Sequence, residues 1–309
     1  MSYICGDRGT DKCPCILMET GQCYTCGMLS RGKCDCPSSW QGVCPYNEYM
    51  QNGCRIMGGV TSRELEIRAV EDFSEKLKVI TLDVTMGFAL ECKKMGSFLM
   101  VEAGGYKTPV SVMEAVTTSP SLVKLAIYLT GPKTMAIDKL AEAGGKLKVT
   151  GPFSNGLINS EKFDKNRLSL VIGKGMAIMP VLNCKEIIGS GLVGMYLDES
   201  KLTFEFLKKY VSQLEYERMN MEKCLGDLKQ ALKNDCSYCM KHTGKFPNIF
   251  LMTSPYYKER ITETCGLDEI EVIFPNHANM CCGEGACGAC SYTDEEGTTV
   301  RMCKCIDMI

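Results

Sequence analysis

The sequence predicts two bodies of different fold class, an antiparallel β-barrel or sandwich and then a parallel-sheet α/β layer, with a cysteine-rich segment at each end. The first prediction rests on short strand-like runs between residues 65 and 129 that are separated by turns. The second rests on the alternation of strand-like and helix-like runs after Gly151-Pro152. Of the 21 cysteines, nine lie in residues 5–54 and six in residues 281–305.

Bulk composition excludes several classes of function. The chain has 309 residues, 45% of them hydrophobic, so it can build a core, and its net charge is only −2. That balance gives no electrostatic footprint for nucleic acid or for an anionic membrane. The first residues lack the basic start and apolar stretch of a signal peptide, and no run reaches the roughly 18 apolar residues of a membrane span. We therefore expect a soluble, cytoplasmic protein.

The N-terminal segment, residues 1–56, is poor in aliphatic side chains, and we expect bound metal to supply its folding free energy. Its cysteines follow the pattern C-x7-C-x-C-x7-C twice in succession, and the eight predicted ligands are Cys5, Cys13, Cys15, Cys23, Cys26, Cys34, Cys36 and Cys44. A reducing cytosol keeps them as metal-binding thiols. They suffice for two [4Fe–4S] clusters, or for one cluster and another metal, with zinc as the alternative. The 21 cysteines and 20 methionines would be damaged by oxygen, which indicates an anaerobe.

The first body is predicted to consist of strands joined by turns. Alternating or buried-type runs predict strands over Leu65–Val70, Leu77–Val84, Ser97–Val101, Val110–Val116 and Val123–Leu129. A helix is predicted from Pro132, a favourable first helical residue, to Ala143, because Gly144-Gly145 follows.

The second body is predicted to alternate strands and helices. We predict strands over Leu168–Ile172, Leu192–Leu197 and Ile249–Met252, and helices over Met176–Ile188, Leu202–Leu232 and after Pro255. The turn Gly173-Lys174-Gly175 follows the first of these strands. It can present N–H groups to a phosphate, with the Lys174 charge beside them, or it can simply be a tight turn.

The C-terminal cysteines carry the most specific pattern. Cys282, Cys287 and Cys290 have the C-x4-C-x2-C spacing of plant-type [2Fe–2S] sites, and Cys303 is the predicted fourth ligand. The intervening glycines suit a loop that wraps tightly around a cluster. Buried free thiols and a zinc site are the alternatives, and either of the additional thiols in this segment, Cys281 and Cys305, can replace a neighbour as ligand. Near Cys224, the pair Cys236 and Cys239 is left unassigned.

With this motif in place, residues 60–309 resemble the iron–sulfur electron-transfer subunit of two-subunit dihydroorotate dehydrogenase. They also resemble the small subunits of bifurcating transhydrogenases and sulfide dehydrogenases, which are relatives of ferredoxin–NADP reductase. The resemblance implies an FAD-binding barrel at 57–160, a nucleotide-binding domain at 161–275 and a [2Fe–2S] segment at 276–309, and it leaves residues 1–56 outside. The residues that carry it are Met95–Leu99, the turn Gly151–Gly156 and the implied FAD contacts Thr108, Pro109, Val110, Ser111, Ile127, Tyr128, Leu129, Lys133 and Thr134.

Three departures from the family pattern concern phosphate and nicotinamide binding. Thr108 replaces an arginine that meets the FAD pyrophosphate, although Lys107 is adjacent. Gly173-Lys174-Gly175 replaces a four-glycine loop, and Thr253-Ser254-Pro255 replaces the Cys-Gly-Pro beside the nicotinamide.

The resemblance implies an electron-transfer subunit in a hetero-oligomer. It would pass electrons from NAD(P)H through FAD to iron–sulfur clusters and on to a ferredoxin or a catalytic oxidoreductase subunit. We find no catalytic acid–base pair. The alternatives are a non-catalytic iron–sulfur relay without nucleotide binding and a zinc-stapled interaction protein.

Overall fold

The computed structural model describes residues 3–36, 42–56, 59–268 and 270–308; residues 1, 2, 37–41, 57, 58, 269 and 309 lie outside it. The N-terminal segment contains one short strand and three short helices: β1 (Tyr3–Cys5), α1 (Ile16–Glu19), α2 (Gly27–Arg31) and α3 (Pro45–Gln51). Each helix begins directly after a cysteine, namely Cys15, Cys26 and Cys44. Met18, Cys26 and Tyr49 form a small buried cluster, so the segment has little apolar core of its own.

Six antiparallel strands form the first body: β2 (Ser62–Asp72), β3 (Leu77–Asp83), β4 (Phe98–Ala103), β5 (Tyr106–Val116), β6 (Leu122–Tyr128) and β7 (Lys146–Phe153). They close in the order β2-β3-β6-β5-β4-β7. The predicted barrel is therefore confirmed over the sandwich. The five predicted strands are all present. The closing strand β7 was not predicted, because its alternation spans only Lys146–Val149 before Gly151-Pro152 interrupts the pattern.

The barrel interior is filled by alternate residues of its strands. Ile67, Leu82, Leu99, Val112 and Leu125 are at most 1% exposed and belong to one cluster. Burying such side chains contributes about 1.5–3 kcal/mol each. Two helices, α4 (Met86–Cys92) and α5 (Pro132–Leu140), pack on the barrel.

The second body is built on a six-stranded sheet. Its strands are β8 (Leu157–Ile158), β9 (Ser169–Lys174), β10 (Leu192–Asp198), β11 (Glu217–Arg218), β12 (Asn248–Met252) and β13 (Val272–Pro275), in the order β11-β10-β9-β12-β13-β8. All neighbours are parallel except β13 and β8. The predicted parallel α/β layer is confirmed, and its antiparallel edge strand β8 follows the last barrel strand along the chain.

The helices of this body are α6 (Met179–Asn183), α7 (Lys185–Gly189), α8 (Phe204–Phe206), α9 (Leu225–Thr243) and α10 (Pro255–Cys265). The predicted helix over Met176–Ile188 is wrong as a single element, since a 3-10 turn precedes α6 and a break at Cys184 separates α6 from α7. Within the residues that the structure describes, none of the helices combines the length and apolarity that a membrane span requires.

The predicted helix over Leu202–Leu232 is also wrong. After α8 and one π-helical turn the chain forms β11, and only then does α9 begin. Leu214 is buried in the cluster on one face of the sheet, whereas Met221 is buried in the cluster on the other face. The chain must therefore pass around the sheet edge between these residues, which a continuous helix cannot do.

The C-terminal residues form a hairpin, β14 (Ser291–Thr293) and β15 (Thr299–Arg301), and a last strand, β16 (Cys305–Met308). β16 pairs with β1, so the two ends of the described chain form one small antiparallel sheet.

Candidate redox site

The loop over residues 280–290 bends at three glycines with positive φ: Gly283 (+74°), Gly285 (+83°) and Gly288 (+74°). An added Cβ on Gly283 would lie 2.7 Å from Cζ of Phe153. Both the backbone conformation and the space therefore require glycine at this position. The loop can lie close against β7 only because of this residue.

The four C-terminal cysteines predicted as ligands are neighbours. Side-chain interactions link Cys303 to Cys282 and to Cys290, and link Cys282 to Cys287. The backbone N–H of Cys303 donates to Sγ of Cys290 at 3.4 Å. The additional thiols lie differently, because Cys281 is exposed and Cys305 donates to a backbone carbonyl on its own strand.

Interactions among these thiols shift their pKa values in opposite directions. The Cys303 side chain lowers the pKa of Cys282 to about 3 and that of Cys290 to about 6, although burial opposes both shifts. The same interactions raise the pKa of Cys303. A lowered pKa favours the thiolate, the form in which cysteine binds metal.

Among the described residues, no three cysteine, histidine, aspartate or glutamate side chains are placed to hold one metal ion. A [2Fe–2S] cluster divides its four cysteines between two irons, so pairs of thiols are the geometry that it needs. The four thiols are joined through the Cys282–Cys303 interaction, with Cys287 beside Cys282 and Cys290 beside Cys303.

Barrel residues fix the thiol loop in place. Phe153, at the end of β7, stacks on Phe98 with ring centroids 5.2 Å apart, and both pack in one cluster with Met280, Cys290 and Cys303. The loop therefore rests on the end of the barrel.

The residues predicted to contact FAD lie on two faces of the barrel. Thr108, Val110 and Ile127 are buried, and the last two pack in the barrel core. Pro109 is exposed and Ser111 is half-buried on the alternate, outer positions of β5. Of these residues, only Pro109 and Ser111 offer side chains to a ligand outside the barrel.

Tyr128 also lies on the outer side, half-buried against the second body. Leu129 packs on the barrel core and Lys133 is exposed. The Thr134 hydroxyl is used locally, since it accepts hydrogen bonds from the N–H groups of Thr130 and Gly131 at the start of α5.

An opening separates β5 from β6 next to these residues. The ladder between the two strands runs only from Val112↔Leu125 to Val116↔Leu122. The preceding residues of β5, including Ser111, and the last residues of β6, including Tyr128, do not pair with each other. Their facing backbone groups can therefore hydrogen-bond a planar polar ligand inserted between the strands.

The cations predicted to meet phosphate are engaged within the chain. Lys107 is ion-paired with Glu102 at 3.2 Å. Lys174 is ion-paired with Asp198 at 2.5 Å, and its Nζ lies 4.6 Å from the centre of the Tyr257 ring. The sequence did not reveal these partners, because the carboxylates are distant along the chain or on another strand.

A cleft of about 390 Å³ opens where the barrel meets the second sheet. The carboxyl ends of β9, β10 and β12 line it, as expected for a ligand site of a parallel sheet. Its lining includes Tyr128 of the barrel, Gly175, Lys201, Ser254 at the start of α10, and His277. Lys201 lies over the Tyr128 ring at 5.0 Å and has no ion-pair partner in the described part of the chain.

His277 joins this cleft to the thiol loop. Its Nε2 lies 2.8 Å from the carbonyl oxygen of Thr253 at the end of β12. Burial lowers the pKa of His277, so the ring is neutral at pH 7 and Nε2–H donates this bond. The adjacent Asn276 donates through Nδ2 to the carbonyl of Met302, next to Cys303, at 2.8 Å.

The structure does not separate the two four-cysteine units at the N-terminus. Cys13 and Cys23 of the first unit pack against the buried Cys26 of the second. In the second unit, Sγ of Cys36 accepts a hydrogen bond from the Arg8 guanidinium at 3.0 Å. The remaining members of that unit range from the buried Cys26 through the half-buried Cys44 to the exposed Cys34.

No family model matches the chain, and no curated protein sequence matches it. Solved structures do resemble it. An NADH-dependent reduced ferredoxin–NADP oxidoreductase, studied for flavin-based electron bifurcation, gives a TM-score of 0.59 at 16% identity, over 80% of this chain and 87% of its own. Phthalate dioxygenase reductase, which transfers electrons from pyridine nucleotides to [2Fe–2S], gives a TM-score of 0.55 at 13% identity, over 80% of this chain and 96% of its own. The ferredoxin reductase of carbazole 1,9a-dioxygenase gives a TM-score of 0.51 at 16% identity, over 71% of this chain and 66% of its own.

The chain has the ferredoxin–NADP reductase fold. Two cleft residues of this fold, Lys201 and His277, were not singled out from the sequence, because neither lies in a recognisable motif. The unassigned cysteines do not form one site: Cys224 precedes α9, and Cys236 lies 12 residues further along, which corresponds to about 18 Å of helix.

Proposed function

We propose that this chain is an electron-transfer flavoprotein whose C-terminal cysteines hold a [2Fe–2S] cluster. The observation that carries the proposal is the group of four neighbouring thiols, of which Cys290 and Cys303 pack in one cluster with Phe153 of the barrel. Cys282 and Cys287 would bind one iron, and Cys290 and Cys303 the other. Cys287 is the exposed member, so a redox partner would approach the cluster from its side.

FAD would lie at the opening between β5 and β6. The backbone edges of β5 and β6 that do not pair with each other, and the side chains of Ser111 and Tyr128, fit a flat ring with polar edges. When bound, FAD accepts a hydride, which is an electron pair and a proton, from NAD(P)H and releases the electrons singly to an iron–sulfur centre. The chain supplies binding and orientation and needs no acid or base of its own. Phthalate dioxygenase reductase, which shares the fold, performs this kind of transfer.

NAD(P)H would bind in the cleft beside the FAD site. Lys201 is the cation available to a phosphate, and the N-terminus of α10 at Ser254 faces the same space. Tyr128 borders both the opening and the cleft, so the nicotinamide and the flavin would meet there. The expected acceptor is a ferredoxin or a catalytic oxidoreductase subunit in a hetero-oligomer.

A second candidate is a relay that carries electrons without binding nucleotides. The pairing of Lys107 with Glu102 and of Lys174 with Asp198 favours it, because these cations are neutralised where phosphates would bind.

The test is the composition and visible spectrum of protein purified without oxygen, with flavin, iron, sulfide and zinc measured per chain. We expect flavin bands that NADH or NADPH bleaches, together with iron–sulfur absorption. Iron–sulfur absorption without flavin would support the relay. Colourless protein with zinc and no iron would overturn both candidates.

A further inference from the structure

Two asparagines from different parts of the fold meet at one carbonyl group beside the thiol loop. Asn155 lies in the turn between β7 and β8, and Asn276 follows β13. Asn276 donates through Nδ2 to the carbonyl oxygen of Met302 at 2.8 Å, and Asn155 donates through Nδ2 to the same oxygen at 3.2 Å. The N–H of Cys305 also donates to this oxygen, at 3.3 Å. The Met302 carbonyl therefore accepts from two side chains and from one backbone group.

The Asn276 side chain is held in one orientation. Its Oδ1 accepts a hydrogen bond from the N–H of Ala278 at 3.2 Å, so the amide nitrogen is the atom that faces Met302. Nδ2 also donates to the carbonyl of Asn155 at 3.1 Å, and the Asn276 N–H donates to the carbonyl of Gly156 at 2.8 Å. Asn276 is therefore attached to the turn at the end of the barrel as well as to Met302.

The Met302 carbonyl and the Cys303 N–H belong to the same peptide group. That N–H donates to Sγ of Cys290 at 3.4 Å. Met302 is half-buried and packs in one cluster with Cys290 and Cys303. Hydrogen bonds in series polarise one another, and they are stronger in a protein interior than in water. Donation to the Met302 oxygen therefore makes the Cys303 N–H a better donor to the Cys290 sulfur.

We propose that Asn276, together with Asn155, is a positioning residue that raises the reduction potential of the C-terminal cluster through the Met302–Cys303 peptide group. This inference rests on the proposed function, in which Cys290 and Cys303 bind iron. An N–H group that donates to a ligand sulfur offsets negative charge on that sulfur, so the addition of one electron to the cluster becomes more favourable. The two asparagines act on the cluster without contacting its ligand sulfurs themselves.

The test uses the full chain, loaded with iron and sulfide without oxygen. Redox titration followed by electron paramagnetic resonance gives the potential of the [2Fe–2S] cluster, and iron is measured per chain. Asn276→Ala should keep the wild-type iron content and shift the potential to more negative values. Asn155→Ala removes the longer of the two side-chain bonds and should give a smaller shift in the same direction. The control is Asn183→Ala in α6, because buried Asn183 also donates through Nδ2 to a backbone carbonyl, that of Cys92, at 2.8 Å. It should leave the potential unchanged.

An unchanged potential in Asn276→Ala that retains its cluster would overturn the inference. Loss of iron without a shift in the remaining clusters would also overturn it, because Asn276 would then only hold the loop in place. Should Asn276→Ala not fold, Asn155→Ala decides, and a potential equal to that of the wild type would refute the role of the Met302 carbonyl. A wild-type chain without any [2Fe–2S] signal would contradict the proposed function, and this inference with it, before any variant is compared.

Discussion

The Asp7–Lys304 ion pair should hold the N-terminal segment on the rest of the chain, and the two partners should contribute unequally. Asp7→Asn leaves the Lys304 ammonium, which is 2% exposed, without a counter-ion. Breaking a buried pair in this way costs about 3–5 kcal/mol. Lys304→Met leaves the carboxylate of Asp7, which is 15% exposed and can gain water. Because Met also fills the space of the lysine stem, we expect this change to lower the stability of the contact by about 1 kcal/mol.

Hydrogen exchange of the native protein, followed by mass spectrometry, is the suitable assay, since a chain of two bodies and several cofactors does not unfold in two states. A loss of about 3 kcal/mol corresponds to roughly 150-fold faster exchange, and a loss of about 1 kcal/mol to roughly fivefold. The effect should be confined to peptides that contain β1 and β16. Glu64→Gln breaks an ion pair that is 65% exposed on both sides and is the control, with less than about twofold expected.

The double variant, Asp7→Asn with Lys304→Met, separates the pair from its surroundings. It should exchange more slowly than Asp7→Asn alone, because the unpaired ammonium is gone. The reasoning is refuted if Asp7→Asn exchanges at the wild-type rate, or if the two single changes simply add.

Three further predictions concern the cluster, the cleft and the contact between the two bodies. Cys303→Ser should remove the C-terminal cluster spectrum and about two irons per chain, whereas exposed Cys281→Ser should keep both; equal losses would contradict the ligand assignment. Lys201→Met should raise the NAD(P)H concentration for half-maximal flavin reduction about 10–150-fold, since one charged hydrogen bond contributes about 1.5–3 kcal/mol, while Lys208→Met, outside the cleft, should have no effect. Glu114→Gln should lower the free energy of local opening at pH 7 by about 1–2 kcal/mol, measured by hydrogen exchange of peptides that contain β5. Hydrogen bonds from two lysines outweigh burial and lower the Glu114 pKa. The contribution of Glu114 to stability is therefore full above the ordinary glutamate pKa of about 4.3, and it is lost as pH falls through the folded-state pKa. An equal loss of stability in Glu114→Gln at pH 7 and pH 3 would contradict this.

Most of the fold could be predicted because the barrel strands alternate with period two and the parallel strands are short apolar runs. The failure at Leu202–Leu232 has a physical cause. Its apolar residues have helical spacing, but Leu214 and Met221 are buried on opposite faces of the sheet. Local periodicity does not reveal which face a residue packs on, so it could not predict the crossing at β11.

The candidate site was predictable to the extent that it is local in sequence. The thiol loop is a compact motif with glycines at the required positions, and the structure brings its four cysteines together. Charge partners are not local in this sense. Lys174 reads as a free phosphate ligand in its turn, yet it is paired with Asp198, which lies at the end of the neighbouring strand β10. The docking of Asp7 on Lys304 spans almost the whole chain and has no sequence signature.

The chain itself limits how far the cleft can lie from the thiol loop. His277 lines the cleft and Cys282 is the first predicted iron ligand, so only five peptide steps separate them. Even a fully extended chain covers about 18 Å in five steps. The donation from His277 to the Thr253 carbonyl fixes the start of this connection. The two-electron and one-electron sites of the proposed function are therefore neighbours because of covalent connectivity, whatever the arrangement of the N-terminal segment.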